Sequence, residues 1–387
     1  MSAIPSKRRK RTFAMLATTL VVALVAPLLF WVGLSAVLDS TGGRDALADN
    51  LPEQTFPITP TALYLTTDAD GVLSSATVMV LSPTGVGGSI VPVPVNADVG
   101  FSADARQSLQ QVYAAGGVEA TQVAVESLLL VTINVVGVVD PTALATFLTP
   151  FQPFTVTLAS DVVTATDEGQ DDDVLRAGTV IVPAVDAAKI LTSGAGQGQE
   201  TARKANAEAF WSGFVTSVGG GRASTVPPTG IPASIDDFLA RLTSGPVASR
   251  GLSVIPLSGD ENPDALDVVQ LDQSEAVFVF GSVAPGSMSA PRLGASFRIE
   301  APPGYDLQVK LTIDKILFVG ANVVSVDTSR PARPDTVFLV PNDADRTRAQ
   351  VTDGIFGTIV FEEPKVRIDG VDVTVVLGTD YLSSVET

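Results

Sequence analysis

Val131–Val139 reads VTINVVGVV, and Asp140 and Pro141 follow it directly. The run is almost entirely β-branched and shows no alternation, the pattern of a central strand covered on both faces. Asp140 offers an N-cap oxygen and Pro141 a pre-set φ at the first helical position, so a helix is expected from Pro141 to Leu148. A buried strand running straight into a capped helix predicts α/β layers.

The flanking segments continue this pattern. Upstream, Ala62–Leu65 forms a short strand ending at Thr66-Thr67-Asp68, and Asp70-Gly71 supplies a turn into a second strand, Ala76–Leu81. Ser89–Val95 is extended, with prolines that place it at an edge or strand end. Leu109, Val112, Tyr113 and Gly116 then fall at helical spacing and close at Gly116-Gly117; a second helix is expected from Val118 to Leu130. Downstream, Phe154–Val163 returns as a strand and Ala184–Leu191 as a short helix. Glu200–Val218 is a longer helix with Phe210, Phe214 and Val218 on one face. The acidic cluster Asp167-Glu168 and Asp171-Asp172-Asp173 lacks EF-hand spacing and reads as a solvated loop. Ser234 and Asp237 make a capping box before Phe238–Leu242.

Residues 282–291, rich in small residues and proline, separate a second α/β unit. There, strands are expected at Ala295–Ala301, Ala321–Val326, Thr336–Val340 and Asp372–Leu377, with helices at Leu307–Gly320 and Asp343–Gly357. The organisation is a basic tail (1–12), an apolar run (13–38), a spacer (39–60), an α/β domain (61–281), a linker (282–291) and a small α/β domain (292–387).

The apolar run Phe13–Leu38 contains no charged side chain, and a bilayer core needs roughly 20 apolar residues in a helix. Lys7-Arg8-Arg9-Lys10-Arg11 precedes it and no acidic residue does, which keeps that end in the cytoplasm. The expectation is one transmembrane helix, amino terminus inside, with both domains outside. Cleavage after Ala48, in Ala46-Leu47-Ala48, is the rival reading, but signal h-regions are shorter, about 7–15 residues.

The 387 residues carry a net charge of −18, a surface that disfavours nucleic acid. Neither cysteine nor histidine occurs, which excludes disulfides, thiolate nucleophiles, a Ser-His-Asp triad and histidine-ligated metals. Chemistry would fall to carboxylates, Arg, Lys, Ser, Thr or a hard cation held by oxygen.

The order of segments resembles the LytR-CpsA-Psr family. Ala62–Asp68 (ALYLTTD) looks like the family's opening strand, Ser74–Val80 its second, and Val93–Val99 (VPVNADV) sits where the family has Ile-Pro-Arg-Asp. Ser108–Leu130 and Val131–Phe147 resemble the helix, strand and helix that follow. Residues 292–380, ending in Val373–Gly378 (VTVVLG), look like the LytR carboxy-terminal module. The resemblance implies an α/β/α sandwich with a mixed sheet on a single-span protein of the bacterial cytoplasmic membrane. It also implies transfer of an anionic glycopolymer from a polyprenyl-pyrophosphate carrier to peptidoglycan, with Mg²⁺ as the cation.

Such a transferase needs guanidinium groups to neutralise adjacent phosphates and a carboxylate for Mg²⁺ or a proton. The polar motifs depart from the family here. Its Arg-Ser-Asp becomes Ser74-Ser75-Ala76, its Pro-Arg-Asp becomes Pro94-Val95-Asn96, and its Arg-x-Arg falls near Thr192-Ser193-Gly194. In its Asp-x-x-Arg-x-x-Arg-Gln helix Arg203 matches, while Asn206 and Ala207 take the next two places. Arg203, Asp68 and Asp98 are the catalytic candidates; Arg203, Arg176, Asn96, Leu109 and Tyr113 are the ligand-binding ones; no metal ligands are assigned. The bland alternative makes Arg203 a helix-surface cation paired with Glu200 or Glu208. The expectation is an envelope protein that binds polyprenyl lipid, cell-wall glycan or an envelope partner protein with little or no transferase activity. The alternative is an active, diverged phosphotransferase.

Overall fold

The computed structural model describes residues 51–100, 106–164, 173–193, 200–222, 230–352, 354–356 and 359–385, together with Val32. The predicted tail, the transmembrane run apart from Val32 and most of the acidic cluster lie outside the described residues. Among the described residues no helix is long and apolar enough to cross a membrane.

The strands are β1 (Glu53–Gln54), β2 (Thr61–Thr67), β3 (Leu73–Leu81), β4 (Gly88–Val93), β5 (Val135–Val139), β6 (Phe154–Leu158), β7 (Val162–Thr164), β8 (Asp173–Leu175) and β9 (Gly178–Val182). They continue with β10 (Val247–Ser249), β11 (Val254–Pro256), β12 (Val269–Leu271), β13 (Ser296–Glu300), β14 (Asn322–Asp327), β15 (Val337–Leu339), β16 (Val360–Glu362), β17 (Arg367–Ile368) and β18 (Val373–Val376). The helices are α1 (Leu109–Leu129), α2 (Pro141–Leu148), α3 (Ala184–Thr192), α4 (Glu200–Val218), α5 (Ile235–Leu242), α6 (Gln273–Val283), α7 (Asp306–Phe318), α8 (Asp343–Ala349) and α9 (Thr379–Leu382).

The first unit is built on a mixed five-stranded sheet of order β10-β4-β3-β2-β5, in which β3 alone runs antiparallel to its neighbours. Side-chain alternation splits the apolar residues between two layers. Ala62 and Tyr64 of β2, with Met79 and Leu81 of β3, face the layer made by α2, α3, α4 and α5. Leu63, Leu65, Val78 and Val80 face the opposite layer of α1 and α6. Gly88 tightens the β3–β4 pair: it holds φ +149°, and a Cβ there would overlap the Val80 carbonyl oxygen.

The strand expected over Val131–Val139 is shorter and less central than its composition predicts. Pairing begins at Val135, and β5 lies at the sheet edge beside β2 alone. Ahead of it the Thr132 N–H turns away to donate to the Ser287 carbonyl, while Asn134 reaches only the first residue of β2, donating its N–H to the Thr61 carbonyl and accepting the Thr61 N–H on its side chain. Hydrophobicity cannot register such an exit from the sheet. The two helices expected around Gly116-Gly117 are there: they follow each other in α1 and are divided at Gly117, whose φ +68° and ψ −154° are non-helical. The strand expected over Phe154–Val163 breaks at Ser160, because Asn206 of α4 accepts the N–H groups of Ala159 (2.8 Å) and Ser160 (3.3 Å). α6 is a helix beyond those expected, capped by Asp272, which accepts from the N–H groups of Ser274 and Glu275.

The second unit has a five-stranded sheet of order β14-β13-β18-β15-β16, packed by α7, α8 and α9 around Phe297, Ile299, Ile313, Phe338 and Val375. α6 serves both units: Ala276, Val279 and Phe280 pack into the first, and Val277 into the second. Within 282–291, Ser287 is buried and its hydroxyl donates to the Thr59 carbonyl at 2.7 Å. β1 pairs in parallel with β17, tying residues 53–54 to the second unit.

α8 starts at Asp343 as expected but stops at Ala349, where a 3₁₀ turn takes over. In its first turn Asp345 is buried, beside Arg348 (3.0 Å), which also reaches Asp372 (2.8 Å). Burial, with the Asp372 carboxylate behind it, raises the Asp345 pKa against the pull of Arg348, Asn342 and Arg367. A raised carboxyl favours folding below its unfolded pKa, about 3.9, and that contribution is lost as pH rises through the folded value. Asp345→Asn is therefore expected to be more stable than the native chain at pH 7, with the gain vanishing near pH 3.5. Urea midpoints at the two pH values measure it, and an equal difference at both would sink the assignment.

Candidate functional site

The carboxyl ends of β2 and β4 open beside the start of β3, the usual side for ligands on an open α/β sheet. A narrow cleft with a cavity volume of about 20 Å³ lies there beneath α3 and α4. Ser74, Ser75 and Thr77 of β3, with Pro92 and Pro94, form its floor; Ile190, Leu191, Arg203, Lys204 and Ala207 form its roof.

The floor is neutral and largely self-satisfied. The Thr66 hydroxyl bonds those of Ser75 (2.7 Å) and Ser74 (3.2 Å), and Ser74 donates to the Thr66 carbonyl at 3.0 Å. The Thr77 hydroxyl is buried with no hydrogen-bond partner among the described residues. Two cations face this floor. Half-buried Arg203 donates to the Ser74 carbonyl, while Lys204 pairs with Glu208 at 2.6 Å, one helical turn on. Glu208 is thus engaged by Lys204, and the Glu200 side chain lies outside what is described. Among the described residues no carboxylate lines the cleft, and no cluster of three acidic side chains suited to a metal occurs.

The other predicted site residues are dispersed. Asp68 lines a separate cleft with Pro141, Ala145, Lys189 and Thr192, and its Oδ1 accepts the N–H groups of Asp70 (3.0 Å) and Val72 (2.9 Å), fixing the β2–β3 turn. Asp98 is buried, ion-paired with Arg106, and accepts the Gly100 N–H at 3.0 Å. Asn96, also buried, donates to Asp267 at 3.1 Å. Leu109 is fully buried and Tyr113 partly so; both pack in the α1–α6 layer, on the sheet face opposite Arg203. Arg176 is largely exposed and pairs with Asp161 at 2.8 Å. The Ala177 N–H, then Arg176, hold the Asp161 carboxyl below the ordinary aspartate value.

Asn206 occupies an expected arginine place and spends its amide on the 159–160 turn, donating to the Ser160 carbonyl at 3.1 Å. Lys204 was not singled out from sequence; its place beside Arg203 on the same helix was the available signal. Behind the cleft the space under α4 is filled by rings: Phe154, Phe210, Trp211 and Phe214 are all fully buried. Tyr64 sits in the same layer, its hydroxyl pushed well above the ordinary tyrosine pKa by burial and by the Asp236 carboxylate.

The arrangement can hold one small anionic or polar group against Arg203, Lys204 and the Thr77 hydroxyl. No family model matches the sequence, and no curated protein matches it. Solved structures do. TagV of B. subtilis is 13% identical, with 57% of this chain and 94% of that one covered and a TM-score of 0.42. TagT of B. subtilis is 16% identical, with coverages of 57% and 88% and a TM-score of 0.39. The LytR-CPS2A-psr family protein YwtF (TagT), solved with bound octaprenyl pyrophosphate lipid, is 16% identical, with coverages of 57% and 86% and a TM-score of 0.37. Over a little more than half its length, this mixed α/β chain is similar in structure to LytR-CPS2A-psr family proteins.

Proposed function

We propose that the chain is a membrane-anchored, extracytoplasmic protein of a bacterial envelope. Its LytR-CpsA-Psr-like domain binds a polyprenyl lipid, a cell-wall glycan or an envelope partner, with little or no transferase activity. The cleft lining carries this reading. Hydroxyls bonded to one another stand where a diphosphate transferase needs guanidinium and carboxylate groups, and the two cations among the described lining residues are engaged by the protein. Each charge-assisted hydrogen bond to a phosphate contributes about 1.5–3 kcal/mol, so a site missing several of them binds and stabilises a diphosphate poorly.

A diverged Mg²⁺-dependent phosphotransferase is the second reading, favoured by the adjacency of Arg203 and Lys204 above one floor. Purified full-length chain, given a polyprenyl pyrophosphate and Mg²⁺, is expected to release phosphate no faster than buffer while retaining lipid detectable by mass spectrometry. Mg²⁺-dependent release that disappears in Arg203→Ala would establish the transferase instead.

A further inference from the structure

The two most exposed large apolar side chains among the described residues are Leu293, at 108% relative exposure, and Phe318, at 90%. They lie far apart in sequence and close in the fold. The Arg292 guanidinium donates to the carbonyls of Leu317 (3.0 Å) and Ala321 (3.1 Å), and its backbone N–H donates to the Asn322 side chain at 3.1 Å. A Cβ on Gly294 would collide with the Gly320 carbonyl oxygen, so the two turns meet backbone to backbone. The result is a braced knob with two apolar side chains and an exposed arginine, at the end where β13 and β14 begin.

The chain enters at this same end. β17, which holds β1, leads through a short turn to Asp372, whose N–H donates to the Ser296 carbonyl at 2.9 Å and whose carboxylate accepts the Ser296 N–H at 2.8 Å. The predicted span stops at Leu38, and Asp39–Pro52 can reach at most about 50 Å even when fully extended.

We propose that Leu293 and Phe318 dip into the interfacial layer of the membrane that holds the 13–38 span, so that the second unit rests on the lipid surface. Apolar side chains beside a cation at a membrane interface bury hydrocarbon at the acyl boundary and place charge among head-group phosphates. The inference rests on the anchored reading above, and its test separates the two.

Because the chain has no cysteine, Leu293→Cys, Phe318→Cys and Leu307→Cys each give one labelling site. Leu307 lies at the start of α7, 48% exposed, and serves as the control. Full-length chain carrying an environment-sensitive fluorophore at one site is reconstituted into phosphatidylethanolamine–phosphatidylglycerol vesicles. Brominated lipid is expected to quench the labels at 293 and 318 about three-fold more than the label at 307, and aqueous iodide to show the reverse order. Equal quenching at all three sites in chain that floats with the vesicles overturns the docking and leaves the anchor standing. Chain that fails to float with the vesicles overturns both.

Discussion

Trp211→Ala is expected to lower the free energy of unfolding by about 3–5 kcal/mol, as for other large aromatics removed from a packed core. Trp211 is fully buried, edge-on to Phe210 (5.1 Å between centroids) and to Phe214 (5.4 Å). α4 cannot settle to close the void, because it already touches β6: a Cβ on Gly213 would lie 2.6 Å from the Thr155 carbonyl oxygen. The upper half of the range is therefore expected. Trp211→Phe should cost less than half as much. The indole N–H is buried with no hydrogen-bond partner among the described residues, so removing it relieves a desolvated donor while keeping a ring. Chemical denaturation followed by circular dichroism measures both. A loss below about 1 kcal/mol for the alanine variant would mean that the ring cluster repacks freely.

Gly88→Ala carries the second large effect. An added methyl there meets the Val80 carbonyl oxygen, a backbone atom that can yield only if the β3–β4 pair opens. The same residue pairs with Val247 and donates its N–H to Pro246 at 2.9 Å, so two strand junctions are strained together. A loss of about 4–5 kcal/mol is expected, the range reserved for severe point changes. Gly71→Ala is the control. Its φ is +79° and a Cβ would meet nothing within 4 Å, so only left-handed strain remains, about 1–2 kcal/mol. Similar denaturation midpoints for the two variants would refute the steric argument.

Where capping and periodicity agree, the sequence is read well. Asp140 caps α2 by accepting from the Ala143 N–H at 2.7 Å, Ser234 caps α5, and the bounds of α4 are those expected. Those signals are local, and so are the hydrogen bonds that make them. The order of strands is not local: β5 is as apolar as an interior strand, yet only its partners decide that it ends the sheet. The loss of family polar motifs was visible residue by residue, but what replaced them was not. Asn206 bonding the 159–160 turn depends on atoms 46 and 47 positions away in the chain, and Arg203 held by the Ser74 carbonyl on one 129 positions away. Leu109 and Tyr113 have the helical spacing of a pocket wall, but spacing does not say which side of the sheet the helix covers.

The pairing of β1 with β17 has a mechanical consequence. It consists of two residue pairs, Glu53 with Arg367 and Gln54 with Ile368, whereas α6 is wedged into both cores. Traction on the chain from the residue-50 side reaches those two rungs before either core. They peel first, paying out slack from residues 53–60, while the sheets stay locked together through their common helix.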